Sequence, residues 1–200
     1  MGGEFGSVMK DLGTVDVRYA FLFPDVYEVG MSHLGMKILY HAINRMDGAW
    51  CERVFSPWVD MDAKMREAGV PLFSLESRTP VREFDLLGIT LQYEMCYTNI
   101  LSALDLAGIE LLASNRKSGP FVICGGPCAC NPEPLAPFVD AFAMGDGEEL
   151  TLKTIEVYRK WRDAGLPREK YLEMLAQLDG IYVPSLYDIA YKEDGTIANI

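Results

Sequence analysis

The chain has 200 residues, about one domain and a fraction of another. Half of the residues are hydrophobic and 11% are aromatic, which excludes disorder and supplies a packed core. Eighteen basic against 29 acidic side chains leave a net charge of −11, which argues against a nucleic-acid module and against docking on an anionic membrane.

Residues 1–14 read as a lead-in. Val15 to Phe23 is mostly apolar, β-branched and aromatic, and reads as a first strand ended by Pro24-Asp25. From Met31 to Met46 the apolar residues recur at helical spacing. Trp50 to Phe55 alternates and reads as a second strand. Asp60 to Ala68 is a short helix stopped by Gly69, and Pro71 to Leu75 a short edge strand. Phe84 to Leu91 carries an apolar run suited to a strand buried on both faces. Tyr97 to Ala107 reads as a helix ended by Gly108. Ile109 to Ala113 and Phe121 to Cys124 read as strands, the latter cut off by Gly125-Gly126-Pro127. Phe138 to Met144 is the last predicted core strand, and Glu148 to Ala164 a helix ended by Gly165. Residues 15–164 thus alternate strand and helix, which predicts an α/β domain with a doubly wound, mostly parallel, Rossmann-like sheet. Residues 165–200 read differently. Pro167 to Leu178 is a polar helix, and Leu186 to Tyr191 pairs with Thr196 to Ile200 across Glu193-Asp194-Gly195. This helix and hairpin read as a connector leaving the domain.

No apolar run approaches the roughly 18–20 residues of a membrane span. Five cysteines, three of them crowded at Cys124, Cys128 and Cys130, fit no disulfide framework, so a reducing cytoplasm is the expected compartment. The triplet could hold a metal, but no fourth ligand is near and Cys124 falls in a strand, so core or loop thiols are the better reading. His33 and His41 lie eight residues apart, in no Ser-His-Asp or Cys-His setting. A capping or surface role suits His33 better than a place at the ligand edge.

In a doubly wound sheet, ligands sit at the carboxyl ends of the strands. The segments expected there are Asp25 to Gly30, Thr90-Leu91-Gln92, Gly125-Gly126-Pro127 and Gly145-Asp146-Gly147-Glu148-Glu149. The paired glycines let backbone approach a ligand without a Cβ in the way. Asp146 with Glu149 fits a capping box, and its carboxylates repel a phosphate. Leu150 stands where a dinucleotide fingerprint needs its third glycine, and the loop follows the last core strand rather than the first, which argues against that cofactor class.

These segments resemble the N-terminal cobalamin-binding-like domain of an uncharacterised bacterial family of radical SAM proteins. The likeness runs through FPDVYEVGMSHLGMKILYHAIN, ERVFSPWVDM, PLFSLESRTP, GITLQYEMCYTNIL, VICGGPCACNPEPLAPFVDAFAMGDGEE and GIYVPSLYD. Gly2 to Asp11 is similar to the segment that precedes the first strand in that family. In the wider cobalamin-binding class an Asp-x-His-x-x-Gly stretch places the cobalt-ligating histidine. Here Asp25-Val26-Tyr27-Glu28-Val29-Gly30 puts Tyr27 in that position, so any corrinoid is expected without a protein histidine. The class's Ser-x-Leu corresponds to Thr90-Leu91-Gln92, its Gly-Gly to Gly125-Gly126, and its Gly-Glu-Gly-Glu to Gly145-Asp146-Gly147-Glu148.

The resemblance implies an accessory domain that holds a corrinoid beside a barrel carrying a [4Fe–4S] cluster and S-adenosylmethionine. The implied cofactor-binding residues are Asp25, Tyr27, Gly30, Thr90, Gln92, Gly125, Gly126, Pro127, Gly145 and Gly147; no catalytic or metal-ligating residue is implied. The signature Cys-x3-Cys-x2-Cys is absent, so the barrel is expected beyond Ile200, as a partner in the same longer protein. The fragment is expected not to be catalytic alone. The alternative is a degenerate domain without corrinoid that acts in docking, with Trp58 and Tyr93 filling the cavity.

Overall fold

Strand β1, Val17–Phe23, is buried along its length apart from Arg18, as its apolar and aromatic run demands. It is the pivot of the molecule. A computed structural model describes residues 3–200. Beyond β1 the chain makes one helical turn, α1 (Tyr27–Gly30), and then α2 (Leu34–Asn44). The single helix expected over 31–46 is thus broken at His33. This residue adopts extended backbone, and its ring Nδ1 accepts from the Met36 backbone N–H at 3.1 Å. A capped start there replaces a continuous turn.

Strand β2 (Ala49–Phe55) and helix α3 (Val59–Ala68) follow, the latter stopped by Gly69 in the left-handed region at φ +65°. Then come β3 (Leu86–Thr90), α4 (Tyr97–Leu106), β4 (Phe121–Gly125), β5 (Ala141–Ala143) and α5 (Gly147–Asp163). Helix α6 (Arg168–Leu175), β6 (Ile181–Tyr182) and the hairpin β7 (Ala190–Tyr191) with β8 (Ile197–Asn199) complete the chain.

Among the described residues the main sheet has six strands in the order β2-β1-β3-β4-β5-β6. The first five are parallel and β6 runs antiparallel to β5. Strand order reverses at β1, which makes the β1/β3 carboxyl edge the topological switch point. One sheet face packs against α3 and α4 through Met65, Ile100 and Leu104. The other packs against α2, α5 and α6 through Met36, Tyr40, Ile43, Ile155 and Tyr171. The fold is therefore the doubly wound, mostly parallel α/β sheet that the alternating pattern predicts.

Three predicted strands change. Ile109 to Ala113 forms none. Its carbonyls at Glu110 and Leu111 are taken by the buried Arg116 guanidinium, at 2.9–3.1 Å, rather than by a neighbouring strand. Pro71 to Leu75 contributes a single bridge, Phe73 to Pro80, in a tight reversal. The strand expected over 138–144 shortens to β5, because the Asp140 carboxylate, not a longer ladder, takes the Val122 N–H at 2.7 Å.

The segment read as a connector contributes to the domain. Tyr171, Leu175 and Val183 are buried in the same core as β1, and β6 extends the sheet past β5. Asp140 fastens this segment. Its carboxylate oxygen meets Arg116 at 2.7 Å and Arg168 of α6 at 3.2 Å. On the other edge, the charged pair in β2 is buried rather than solvated. Glu52 accepts from Ser74 Oγ and Ser77 N–H and pairs with Arg18; Arg53 pairs with Glu76 at 2.7 Å and reaches Ser7. Loop 74–79 and the N-terminal lead-in so cover the sheet's open edge. No helix among the described residues is long and apolar enough to cross a membrane.

Candidate functional site

At the carboxyl edge, between the sheet and helices α2 and α5, a cleft of about 310 Å³ opens at the switch point. Its floor is Tyr19 and Phe21 of β1, Gly88 of β3 and Ile123 of β4. Leu39 and Ile43 of α2 and Ala143 of β5 make apolar walls; Gly147 and Thr151 stand on α5. No Lys or Arg lines it, and Glu148 stands at the rim.

The mouth carries a chain of polar side chains. Because His33 Nδ1 is engaged as the helix cap, its Nε2 bears the proton and donates to Gln92 Oε1 at 3.0 Å. The Gln92 amide in turn donates to Thr90 Oγ1. His33 thus offers no lone pair to a metal while the cap and this bond both stand. It is both cap and cleft residue, where the sequence favours capping or the surface.

Seven of the ten implied cofactor residues line this cleft: Thr90, Gln92, Gly125, Gly126, Pro127, Gly145 and Gly147. Gly126 sits at φ +109°, and a Cβ on it would approach the Leu91 carbonyl oxygen to 2.9 Å. The β3 and β4 ends are laced here by Leu91 N–H to Gly125 O and Cys128 N–H to Leu91 O. The glycine pair therefore both shapes the cleft and closes the strand ends.

The other three lie outside it. Asp25 accepts from its neighbour Val26 N–H and borders a smaller hollow with Ser56 and Asn99. Gly30 is buried against Phe55 and Phe23. Tyr27 lines a second cavity of about 320 Å³ with Phe55, Trp58 and Met61, and its hydroxyl donates to Glu4 at 3.1 Å. Partial burial first, and then that hydrogen bond, holds the Tyr27 phenol above its ordinary pKa.

Neither Trp58 nor Tyr93 enters the cleft; both are exposed. The expected capping box at α5 does not form. Asp146 occupies the cap position without a side-chain bond, and Glu149 pairs instead with Lys153 at 2.7 Å. The cysteines disperse: Cys124 is buried in β4, where burial pushes its thiol pKa up, while Cys130 is exposed. Among the described residues no group of three or more His, Cys, Asp or Glu side chains is placed to hold a metal ion.

Sequence reasoning passes over Tyr19 and Gly88. A glycine inside a buried strand is itself the signal, since it marks a place where something approaches the backbone closely. Here that is the Tyr19 phenol, whose oxygen overlaps the position a Gly88 Cβ would take.

Uncharacterized protein MJ0966 of Methanocaldococcus jannaschii is 28% identical over 185 residues, covering 86% of this chain and 36% of that protein. The chain thus spans little more than a third of the length of this curated relative. No solved structure matches the chain. The family model described as "Radical SAM proteins, N-terminal" matches residues 35–184, three quarters of the sequence, and the chain belongs to that family.

Proposed function

We propose that this domain is the accessory module of a radical SAM enzyme, and that its strand-end cleft holds the nucleotide tail of a corrinoid beside a [4Fe–4S]/S-adenosylmethionine barrel. The observation that carries the reading is an open, apolar, glycine-walled cleft at the switch point of a radical SAM N-terminal domain. Gly125, Gly126 and Gly147 would let the tail pack on backbone. Thr90, Gln92 and Pro127 would border it at the mouth, with Gly145 beside them. The donor set fits a corrinoid held without an imidazole ligand, because Tyr27 is turned to Glu4 and His33 Nε2 is spent on Gln92. A corrinoid supplies a cobalt centre for alkyl-group chemistry; this chain's part is to bind the tail and orient the macrocycle.

The test is direct. The domain at about 100 μM, a concentration at which even a weak cofactor site with a micromolar dissociation constant is filled, is mixed with hydroxocobalamin, desalted and scanned in the visible range. Near-stoichiometric retention is expected; a colourless protein overturns the reading.

A second reading, docking without corrinoid, is favoured by one observation. Exposed apolar side chains crowd the loops and first helical turns after β1, β2 and β3: Val29, Leu34, Trp58, Val59, Tyr93 and Met95. A partner domain seated there would cover them.

A further inference from the structure

We infer that the second cavity, the one bordered by Tyr27, binds a free amino acid with a bulky apolar side chain, and that Arg78 reads its carboxylate. This cavity shares no lining residue with the strand-end cleft, so the inference does not depend on the corrinoid reading.

The cavity, of about 320 Å³, lies at the carboxyl end of β2, between α1, the start of α3 and residues 72–78. Its volume falls in the range of small-molecule sites, roughly 300–1,000 Å³. Phe55, Trp58, Met61, Met65 and Phe73 give it an apolar, mainly aromatic body. The Arg53 guanidinium in its wall is spent, since Nε meets Glu76 at 2.7 Å and Nη2 meets Ser7 at 2.8 Å. The hydroxyl of Ser56, which also borders the cavity, is not spent. Its oxygen is one of two buried side-chain N or O atoms without a hydrogen-bond partner among the described residues. A buried polar atom left unpaired in a native fold marks a place where a partner is missing.

The decisive residue is Arg78. Among the described residues it alone, glycines apart, has a positive φ, at +60°, where a side chain is costly. Its neighbours hold it there. Ser77 N–H donates to Glu52 at 2.9 Å, Thr79 N–H donates to Ser77 Oγ at 3.2 Å, and the Thr79 carbonyl accepts from Ser74 N–H at 3.0 Å. Glycine would meet this turn without strain. The Arg78 guanidinium makes no hydrogen bond or ion pair with the described residues to offset the cost, yet Arg78 lines the cavity. Strain kept at a cavity wall by a side chain without a protein partner points to a ligand as that partner. The planar guanidinium fork matches a carboxylate. Glu28 and Asp60, both exposed, stand in the same lining. A lone anion would face these two carboxylates and a lone cation would face Arg78, whereas a zwitterion meets both signs. An α-amino acid joins that zwitterion to an apolar side chain for the aromatic body.

The test uses the 200-residue chain and three ligands with the same ring, by titration calorimetry at low salt. L-Phenylalanine carries both charges, 3-phenylpropionate only the carboxylate, and phenethylamine only the ammonium. The wild type is expected to bind phenylalanine about tenfold more tightly than either analogue, the worth of one charge-assisted hydrogen-bonded contact. Arg78→Gly is expected to weaken phenylalanine about tenfold and to leave phenethylamine bound no less tightly, a split that a merely structural arginine would not produce. Because glycine suits φ +60°, this variant is expected to keep a thermal midpoint no lower than that of the wild type. Trp58→Ala, which removes a wall of this cavity and touches no residue of the cleft lining, is expected to weaken all three ligands alike. No binding of phenylalanine at millimolar concentration overturns the inference, as does an affinity that Arg78→Gly leaves unchanged. Phenylpropionate bound as tightly as phenylalanine would make this a plain acid site, and phenethylamine bound as tightly would make it an aromatic cage for cations; either result refutes the amino-acid assignment.

Discussion

Gly126 shows how one residue serves two ends. Its φ of +109° lies where side-chain-bearing residues are strained, and a Cβ would press on the Leu91 carbonyl. Gly126→Ala is expected to cost about 1–3 kcal/mol, because the strain comes with a backbone contact that cannot rotate away. Urea unfolding followed by circular dichroism checks it; an unchanged midpoint would mean that the strand-end turn relaxes freely. Gly125 is a milder case, with 3.3 Å to the Ala143 carbonyl oxygen. Both glycines were visible in the sequence as a loop after a strand. Only the positive φ and the Leu91 contact separate the one that is indispensable to the turn from the one that mainly shapes the wall.

At the scale of elements, the decisive piece is α6 with β6. The sequence of this segment is polar and belongs to no strand–helix–strand unit, so it reads as departing chain. Its few apolar residues are placed to matter. Tyr171 packs tilted against Phe121, with ring centroids 4.2 Å apart, and donates its hydroxyl proton to Thr154 O; Leu175 and Val183 close the same core. The Asp140 carboxylate then receives Arg116, Arg168 and the Val122 N–H together. Asp140→Ala strands two guanidinium groups near the core and is expected to destabilise the protein by about 3–5 kcal/mol. Denaturant unfolding of this variant beside the exposed Asp163→Ala, whose pair with Arg162 lies at the surface, separates the two effects. A loss as small for Asp140 as for Asp163 would refute the anchoring role. The predicted strand at 109–113 fails for a related reason, since the nearby Arg116 guanidinium, anchored on Asp140, takes carbonyls that periodicity assigns to a ladder.

For the molecule as a whole, charge and surface point the same way. A net charge of −11 opposes anionic partners, and the cleft lining carries no cation. The exposed apolar residues after β1, β2 and β3 form an apolar patch along the carboxyl edge. In a longer chain carrying the radical SAM domain, Trp58 and Met95 are expected to lose most of their reactivity in hydroxyl-radical footprinting. In the present chain they should react readily. Equal labelling of both would place the partner on another face.

The sequence by itself determined the alternation of strands and helices, the doubly wound class, the family likeness and the glycine loops at the strand ends. Each of these follows from local pattern: apolar runs of strand length, helical spacing, and glycines where the chain must turn. The tertiary structure alone decided what depends on residues distant in sequence. It separated Asp25, Tyr27 and Gly30 from the cleft that gathers the other seven site residues. It brought His33, Gln92 and Thr90, from two segments some sixty positions apart, into one hydrogen-bonded chain. It drew α6 into the core, and it set the Tyr19 hydroxyl over Gly88, in a cleft that neither residue announces alone. Side-chain direction and long-range charge pairing are properties of the packed sheet, and local periodicity does not encode them.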